Sequence, residues 1–252
     1  MTDRFLDAVR LERAGLTADA LGPDDRYLLA LPVTRHLKRL TFDADVTFFA
    51  GENGTGKSTL IEAIAVRCGF NAEGGSRNFN FTTRKSHSAL CAFLEIEPGR
   101  KKLRDGYFLR AESFYNVATN IEELDRLPAP GRKIIDSYGG RSLHEMSHGE
   151  SFFTLMLNRF GGNGLYILDE PEAALSPSRT MAMLTLMREL CRRGAQFIIS
   201  THSPILLAYP DACIYELSED GIRRTAYRDT GSYQTMKQFL DNPERMAKYL
   251  TE

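Results

Sequence analysis

Short apolar segments alternate with longer segments of helical periodicity along most of the chain. Buried strands are predicted at residues 46–50, 165–168, 196–200 and 212–217. Helical spacing is predicted at residues 58–68, 147–160 and 176–193, the last with Ser176 as N-cap and Pro177 in the first turn. Strands that alternate with helices predict an α/β fold with a mainly parallel central sheet flanked by helices.

The remaining segments give weaker signals. Within the lead-in at residues 1–39, residues 27–31 are predicted as a strand, and residues 71–88 are predicted as an exposed loop. Strands are also predicted at 89–97 and 106–111, with a solvated basic hairpin tip between them rather than a nucleic-acid contact. A short helix is predicted at 121–127, and a last one starts at Asn242-Pro243.

These elements predict one domain over residues 1–252. It would include a small antiparallel β region, with a β-rich insertion at about 71–111, and a short helical subdomain at about 112–150. The 252 residues, 42% of them hydrophobic, suit one large α/β domain.

The formal net charge of −1 argues against a chain built mainly to coat nucleic acid. The four cysteines lie far apart and form no C-x-x-C pair, which favours inert thiols in a reducing cytosol over disulfides or zinc. The first residues contain no signal-peptide core, and no apolar segment approaches the ~18 residues that cross a bilayer. The expectation is a cytoplasmic protein without direct membrane insertion.

Residues 51–58 read GENGTGKS and fit the phosphate-binding pattern G-x-x-x-x-G-K-[ST] without a gap. The pattern lies between a predicted buried strand and a predicted helix, where backbone N–H groups and the helix N-terminus can surround a phosphate. Lys57 is expected to reach the β- and γ-phosphates, and the Ser58 hydroxyl to hold Mg²⁺. The predicted nucleotide-binding residues of this loop are Gly51, Glu52, Asn53, Gly54, Thr55, Gly56, Lys57, Ser58 and Thr59.

Two carboxylates follow the predicted strand at residues 165–168. Asp169 is placed to hold Mg²⁺ through water, and Glu170 to polarise an attacking water. His202 follows the next strand, where a neutral imidazole could contact the γ-phosphate and position the same water; a structural role for His202 is the alternative. The predicted catalytic residues are therefore Glu170, His202 and Lys57.

A second anion site is predicted at the helix that starts near Ser147, with Ser147 and Gly149 as its residues. Such a site would be redundant within one monomer unless it meets the phosphate of a second copy. The alternative is a helix cap without further function.

Together these segments resemble the ABC-type branch of the P-loop ATPases over about residues 40–217. GENGTGKS at 51–58 is similar to the Walker A, MSHGE at 146–150 to the signature, and LYILDE at 165–170 to the Walker B. AALS at 173–176 resembles a D-loop, and STHS at 200–203 carries the switch histidine. The strings DEPEAALSP and THSPILLAYP are similar to those of small stand-alone bacterial predicted (AAA/ABC-like) ATPases.

The sequence departs from that family in three places. His148 stands where the signature has glycine, and Ser176 stands where the D-loop has aspartate. No glutamine lies between Lys57 and the signature-like segment, which makes Glu112 the candidate substitute as a metal ligand through water. The adenine-stacking residue is not assigned, with Tyr27, Arg35 and His36 as candidates.

The resemblance implies ATP and Mg²⁺ as cofactors and an ATP-dependent homodimer, in which Ser147 and Gly149 of one subunit complete the site of the other. The expected function is an ATPase that drives an unidentified protein partner. The alternatives are a nucleic-acid-associated ATPase resembling SMC-like and RecF-like heads, a sensor or scaffold with negligible turnover, and, with least support, a small-molecule kinase. Residues 59–145 are too few for the long coiled coil that such heads carry.

Overall fold

The computed structural model of the chain describes residues 3–77, 88–111, 114–126 and 133–251. The strands of the described residues form two sheets. They are β1 (Leu6–Leu11), β2 (Arg39–Thr41), β3 (Val46–Gly51), β4 (Leu94–Pro98), β5 (Gly106–Arg110), β6 (Leu165–Asp169), β7 (Gln196–Ser200), β8 (Cys213–Ser218) and β9 (Gly221–Thr225).

The helices include those that the periodicity predicts at residues 58–68, 147–160 and 176–193. They are α1 (Pro32–His36), α2 (Lys57–Arg67), α3 (Phe114–Arg126), α4 (His148–Arg159), α5 (Pro177–Arg192), α6 (Pro204–Leu207), α7 (Gly231–Asp241) and α8 (Pro243–Thr251). Helix α5 has the predicted start, since the Ser176 side chain accepts a hydrogen bond from the Arg179 N–H.

The central sheet has six strands in the order β5-β6-β7-β3-β8-β9. Its pairs are parallel except for β8 with β9, so the predicted mainly parallel α/β fold is confirmed. The register aligns Arg110, Asp169 and Ser200 side by side across β5, β6 and β7. Because these strands are parallel, their carboxyl ends meet at one edge of the sheet.

Apolar layers cover both faces of the central sheet. Along β3, Phe49 packs into one layer together with Leu60 and Ile64 of α2, whereas Phe48 packs into the other layer with Met183 of α5. Successive side chains of a strand point to opposite faces, so a strand that is buried on both sides is apolar throughout. This explains the uninterrupted apolar segments that predict the strands.

A small antiparallel sheet, in the order β2-β1-β4, is the predicted antiparallel region. It corrects the predicted hairpin at 89–111. Residues Ala89–Phe93 form a 3₁₀ helix, β4 pairs with β1, and β5 lies in the central sheet. Two strands that are close in sequence therefore join different sheets, because each finds its partner far away along the chain.

Two further local predictions were wrong. Residues Pro23–Leu29 form a 3₁₀ helix instead of the strand predicted at 27–31; Pro23 opens it and Asp24 and Asp25 lie in its first turn. In the described part of the predicted loop at 71–88, residues 73–76 are buried. There the backbones of Gly75 and Phe108 exchange two hydrogen bonds of 2.8 and 3.0 Å, which covers the outer edge of β5.

In the described part of the chain, no helix combines the length and apolar character that crossing a membrane requires.

Candidate functional site

The loop at residues 51–56 connects the end of β3 to the start of α2, as the phosphate-binding pattern predicts. Gly51, Gly54 and Gly56 have φ values of 128°, 81° and 94°. These values lie in a region that side-chain-bearing residues rarely adopt. At Gly56 a Cβ atom would also lie 2.4 Å from Cγ1 of Val33, so glycine is required by space as well as by conformation.

Lys57 begins α2 and is almost fully buried. Its ammonium donates a hydrogen bond of 2.7 Å to the Glu52 carbonyl oxygen, which also accepts one of 2.9 Å from the Thr55 hydroxyl. Burial lowers the pKa of Lys57, and the negative charges of Glu170 and Asp169 oppose this shift. The lysine therefore lies within electrostatic range of both acids that the sequence assigns to the site.

Ser58 and Asp169 meet beside the loop. The Asp169 carboxylate ends β6, is buried, and accepts a hydrogen bond from the Ser200 hydroxyl. Burial raises the pKa of Asp169, and the Ser200 hydrogen bond, the Arg110 charge and the Ser58 hydrogen bond counter the shift. A hydroxyl and a carboxylate next to a phosphate loop are the oxygen donors that suit Mg²⁺.

Among the described residues, no group of three or more His, Cys, Asp or Glu side chains could enclose a metal ion by itself. Mg²⁺ bound together with a nucleotide commonly takes one or two carboxylates plus phosphate oxygens and waters. The Ser58–Asp169 pair fits that kind of site.

Glu170 and His202 are brought together at the same sheet edge. The Glu170 backbone has a left-handed conformation with φ of 49°, and its N–H donates to the Ser200 carbonyl at 3.1 Å. The Glu170 Oε1 atom lies 3.4 Å from Nε2 of His202. Both side chains are about one-third exposed, at 38% and 35%, but the Nε2 atom of His202 is itself buried and makes no hydrogen bond within the described part of the chain.

Glu172 anchors the loop that carries His202, and no role is predicted for this residue from the sequence. Its Oε1 atom accepts hydrogen bonds from the Thr201 hydroxyl at 2.6 Å and from the backbone N–H groups of His202 and Ser203 at 2.7 and 3.1 Å. The only signal for Glu172 is its place in the acidic string 169–172, which does not show which acid faces the loop.

Arg110 and Glu62 are two further charged residues that sequence reasoning missed. Arg110 ends β5, next to Asp169 in the sheet, and its Nη1 atom contacts Glu62 of α2 at 2.5 Å. Arg110 stands at the predicted strand end before Glu112, and that position was the available signal. Glu112 itself lies outside the described residues.

Ser147 and Gly149 lie at the start of α4, as predicted. The Glu150 carboxylate accepts hydrogen bonds from the Ser147 N–H and hydroxyl at 3.2 and 2.9 Å. A Cβ on Gly149 would lie 2.7 Å from the Ala174 carbonyl oxygen, so this turn packs closely on the 171–176 segment. Within the described part of the chain, no hydrogen bond or ion pair of Ser147 or Gly149 reaches residues 57–58.

Of the three family departures, Ser176 is fully described, His148 is described only by its backbone, and Glu112 lies outside the described residues. Ser176 lies between the 171–174 turn and α5, where its side chain caps the helix. The His148 side chain lies outside the part of the structure that is described, although its backbone begins α4.

Two of the candidates for adenine stacking, Arg35 and His36, lie in α1, which adjoins the phosphate loop. Val33 of α1 donates its backbone N–H to the Thr55 carbonyl at 3.1 Å, which joins α1 directly to the loop. Tyr27 is exposed, and the His36 Nε2 atom is 2.9 Å from the Glu219 carbonyl oxygen. No contact singles out one of Tyr27, Arg35 and His36 among the described residues.

Two family models match the chain on either side of its middle. A model described as "AAA domain" matches residues 32–112, and one described as "AAA domain, putative AbiEii toxin, Type IV TA system" matches residues 135–208. The first range contains the phosphate loop, and the second contains Ser147, Asp169, Glu170 and His202.

Solved structures with partial similarity include an ABC transporter, an ABC transporter cassette and an SMC head domain. "An inward-facing conformation of a putative metal-chelate type ABC transporter" is 15% identical, with 79% of this chain and 80% of that chain covered and a TM-score of 0.48. A dimeric bacterial ABC transporter cassette is 14% identical, with coverage of 77% and 90% and a TM-score of 0.46. An SMC head domain from Thermotoga maritima is 16% identical, with coverage of 71% and 88% and a TM-score of 0.39.

Proposed function

We propose that this chain, a P-loop protein of the ABC/AAA-like ATPase kind, binds ATP with Mg²⁺, hydrolyses it as a nucleotide-sandwich dimer and thereby drives an unidentified protein partner. The observation that carries the proposal is the convergence of five predicted residues at one sheet edge. Lys57 and Ser58 come from the phosphate loop, Asp169 and Glu170 from the end of β6, and His202 from the end of β7.

Phosphate binding would use the backbone N–H groups of residues 51–58, the N-terminus of α2 and the Lys57 ammonium. In the structure this ammonium is bonded to the Glu52 carbonyl, so it would exchange that partner for phosphate oxygens. Lys57 is buried among carboxylates, and such a buried cation gains a strong partner in a triphosphate. Ser58 and Asp169 would hold Mg²⁺, which when bound supplies positive charge to the phosphate oxygens.

Hydrolysis would use the Glu170–His202 pair. Glu170 lies where its carboxylate can accept a proton from a water, and the imidazole 3.4 Å away can orient that water or contact the γ-phosphate. The backbone of Glu170 adopts a strained left-handed conformation, and such strain is common where a side chain must be aimed at a reacting group.

The second copy would supply Ser147 and Gly149. Gly149 packs closely on Ala174 of its own chain, and Ser147 is exposed at the start of the same helix. A helix N-terminus of this kind binds anions, and it would complete the nucleotide site of the partner. In related NTPases a group supplied by a partner raises the rate by ~10³–10⁵, so a lone monomer should hydrolyse ATP slowly.

Sizing of the Glu170→Gln variant tests the sandwich. This variant should bind ATP and remain dimeric in saturating ATP, because the nucleotide bridge is formed and no longer hydrolysed. The matched control is Glu189→Gln on the exposed side of α5, which should behave as the unchanged protein. A Glu170→Gln variant that binds ATP and stays monomeric would exclude the dimer.

The client can be searched for with the same variant, used as bait with ATP in extracts of its native cell. Stimulation by DNA would identify the nucleic-acid-associated alternative; turnover should rise with DNA and the effect should weaken steeply with salt. Tight ATP binding with turnover that Glu170→Gln does not change would identify the sensor alternative.

A further inference from the structure

Arg110 lies between two buried carboxylates at the candidate metal site formed by Ser58 and Asp169, called the metal corner below. Its Nε atom is 3.6 Å from Oδ2 of Asp169, and its Nη1 atom is 2.5 Å from Oε2 of Glu62. The side chains of Asp169 and Glu62 are each 6% exposed, and that of Arg110 is 24% exposed. One cation therefore compensates two carboxylates that water hardly reaches.

Secondary structure fixes this arrangement from two directions. Arg110 and Asp169 are direct neighbours across the parallel strands β5 and β6. Glu62 follows Ser58 by four residues in α2, so the two share one face of that helix. The second Glu62 oxygen accepts the Ser88 N–H at 2.9 Å, which holds this carboxylate in position. The Ser58 hydroxyl, Asp169 and Glu62 thus form one polar strip with Arg110 beside it.

A divalent ion between Ser58 and Asp169 would share the Asp169 carboxylate with Arg110. Buried carboxylates need a compensating cation. Arg110 supplies one, and it therefore stabilises the site when no metal ion is bound. The same positive charge repels an arriving divalent ion and reduces the carboxylate charge that attracts it. The arginine and the ion therefore compete for Asp169, while Glu62 gives the arginine a second partner.

We propose that Arg110 is a positioning residue that acts as the resident counter-cation of the metal corner, holding Asp169 when no divalent ion is present and setting how tightly the ion binds. The inference rests on the proposed Mg²⁺–nucleotide site. When the ion occupies Asp169, the Arg110 guanidinium remains paired with Glu62. The competing explanation is a structural clip, in which Arg110 only joins β5 to α2. In that case the affinity for the metal ion does not depend on Arg110.

The test uses Arg110→Met, which keeps much of the side-chain length and removes the charge. Mn²⁺ is the probe, with ADP present, and free Mn²⁺ is measured by electron paramagnetic resonance. The dissociation constant of Mn²⁺ should fall about tenfold relative to the unchanged protein, because the competing charge is gone. The melting temperature should drop without divalent ion, and added Mg²⁺ and ADP should raise it more in the variant than in the unchanged protein.

Two conservative variants give distinct expectations and keep the test valid if Arg110→Met does not fold. Arg110→Lys retains the charge, so its Mn²⁺ affinity should stay close to that of the unchanged protein. Glu62→Gln removes the alternative partner and leaves Arg110 on Asp169, so Mn²⁺ should bind several-fold more weakly. A melting temperature lowered equally with and without ion, together with unchanged Mn²⁺ affinity in the variants, overturns the inference in favour of a structural clip.

The same data separate this inference from the proposed function. If the unchanged protein binds Mn²⁺–ADP and the variants do so with equal affinity, the role of Arg110 is refuted and the nucleotide site stands. If the unchanged protein binds neither Mn²⁺–ADP nor ATP, both proposals fall.

Discussion

Replacement of Glu172 by alanine tests how the His202 loop is held. One carboxylate oxygen accepts three hydrogen bonds from residues 201–203, at 2.6, 2.7 and 3.1 Å. Hydrogen bonds to a charged acceptor contribute about 1.5–3 kcal/mol each, so the sum would be at least ~4.5 kcal/mol if they were independent. Glu172 is half-buried, and water can replace part of the bonding. We therefore expect a loss of about 3 kcal/mol in the free energy of unfolding, discounted from that sum.

In a chain of this size such a loss lowers the melting temperature by about 6–12 °C. Differential scanning calorimetry without nucleotide measures it directly. Glu172→Gln retains an amide oxygen as acceptor and should lose only about 1 kcal/mol. Glu189→Ala, on the exposed side of α5, is the matched control and should change stability by less than about 0.5 kcal/mol.

The loop also positions His202, so turnover should fall together with stability. ATP hydrolysis by Glu172→Ala should drop at least about tenfold at a temperature where the variant is folded, through loss of positioning. Glu172→Gln should retain most of the activity. A Glu172→Ala protein that melts within 1 °C of the unchanged protein, with unchanged turnover, would refute the assigned anchoring role.

Two further predictions concern the loop and its acid. Gly56→Ala should lower the free energy of unfolding by about 2–4 kcal/mol, because of the left-handed conformation and because its Cβ would lie 2.4 Å from Val33. Gly54→Ala has nothing within 4 Å of its Cβ, so it should lose only the ~1–2 kcal/mol of backbone strain. Chemical denaturation with urea gives both values, and equal losses would contradict the packing argument. Asp169→Asn should stabilise the nucleotide-free protein increasingly as pH rises above the ordinary carboxyl pKa of about 4, because burial raises the pKa of Asp169 and its ionisation in the folded state then costs stability. Melting curves across this range measure the effect, and a pH-independent difference between variant and unchanged protein would contradict it.

The parts of the fold that follow from local pattern were predicted from the sequence. The strand before the phosphate loop and the helix after it match β3 and α2 to within a residue, because both are uniformly apolar or periodic over their length. The start of α5 at Ser176-Pro177 is likewise a local signal.

The parts that depend on distant partners were not predicted. Strand β1 has a mixed polar pattern, and its partners β2 and β4 lie about thirty and ninety residues away. The supposed hairpin at 89–111 was wrong for the same reason, since β4 and β5 join different sheets. At residues 27–31 the apolar pattern suggested a strand. Pro23, Asp24 and Asp25 before it instead favour the start of a 3₁₀ helix.

The site shows the same division. Residues that belong to recognisable patterns, such as Lys57, Asp169 and His202, could be named from the sequence alone. Glu172 and Arg110 could not, because their roles come from the loop conformation and the strand register that bring them to His202 and Asp169. A charged residue at a strand end is common, and only its neighbours across the sheet show what it does.

The most direct test of the central claim compares phosphate release from Mg²⁺–ATP by the unchanged protein and by Glu170→Gln, with the ATP dissociation constant measured for both. Loss of a general base commonly costs 10²–10⁴ in rate, so turnover should fall about a hundredfold or more while ATP affinity stays within about twofold. Equal turnover in the two proteins at saturating ATP would contradict the assignment of this site as the centre of ATP hydrolysis.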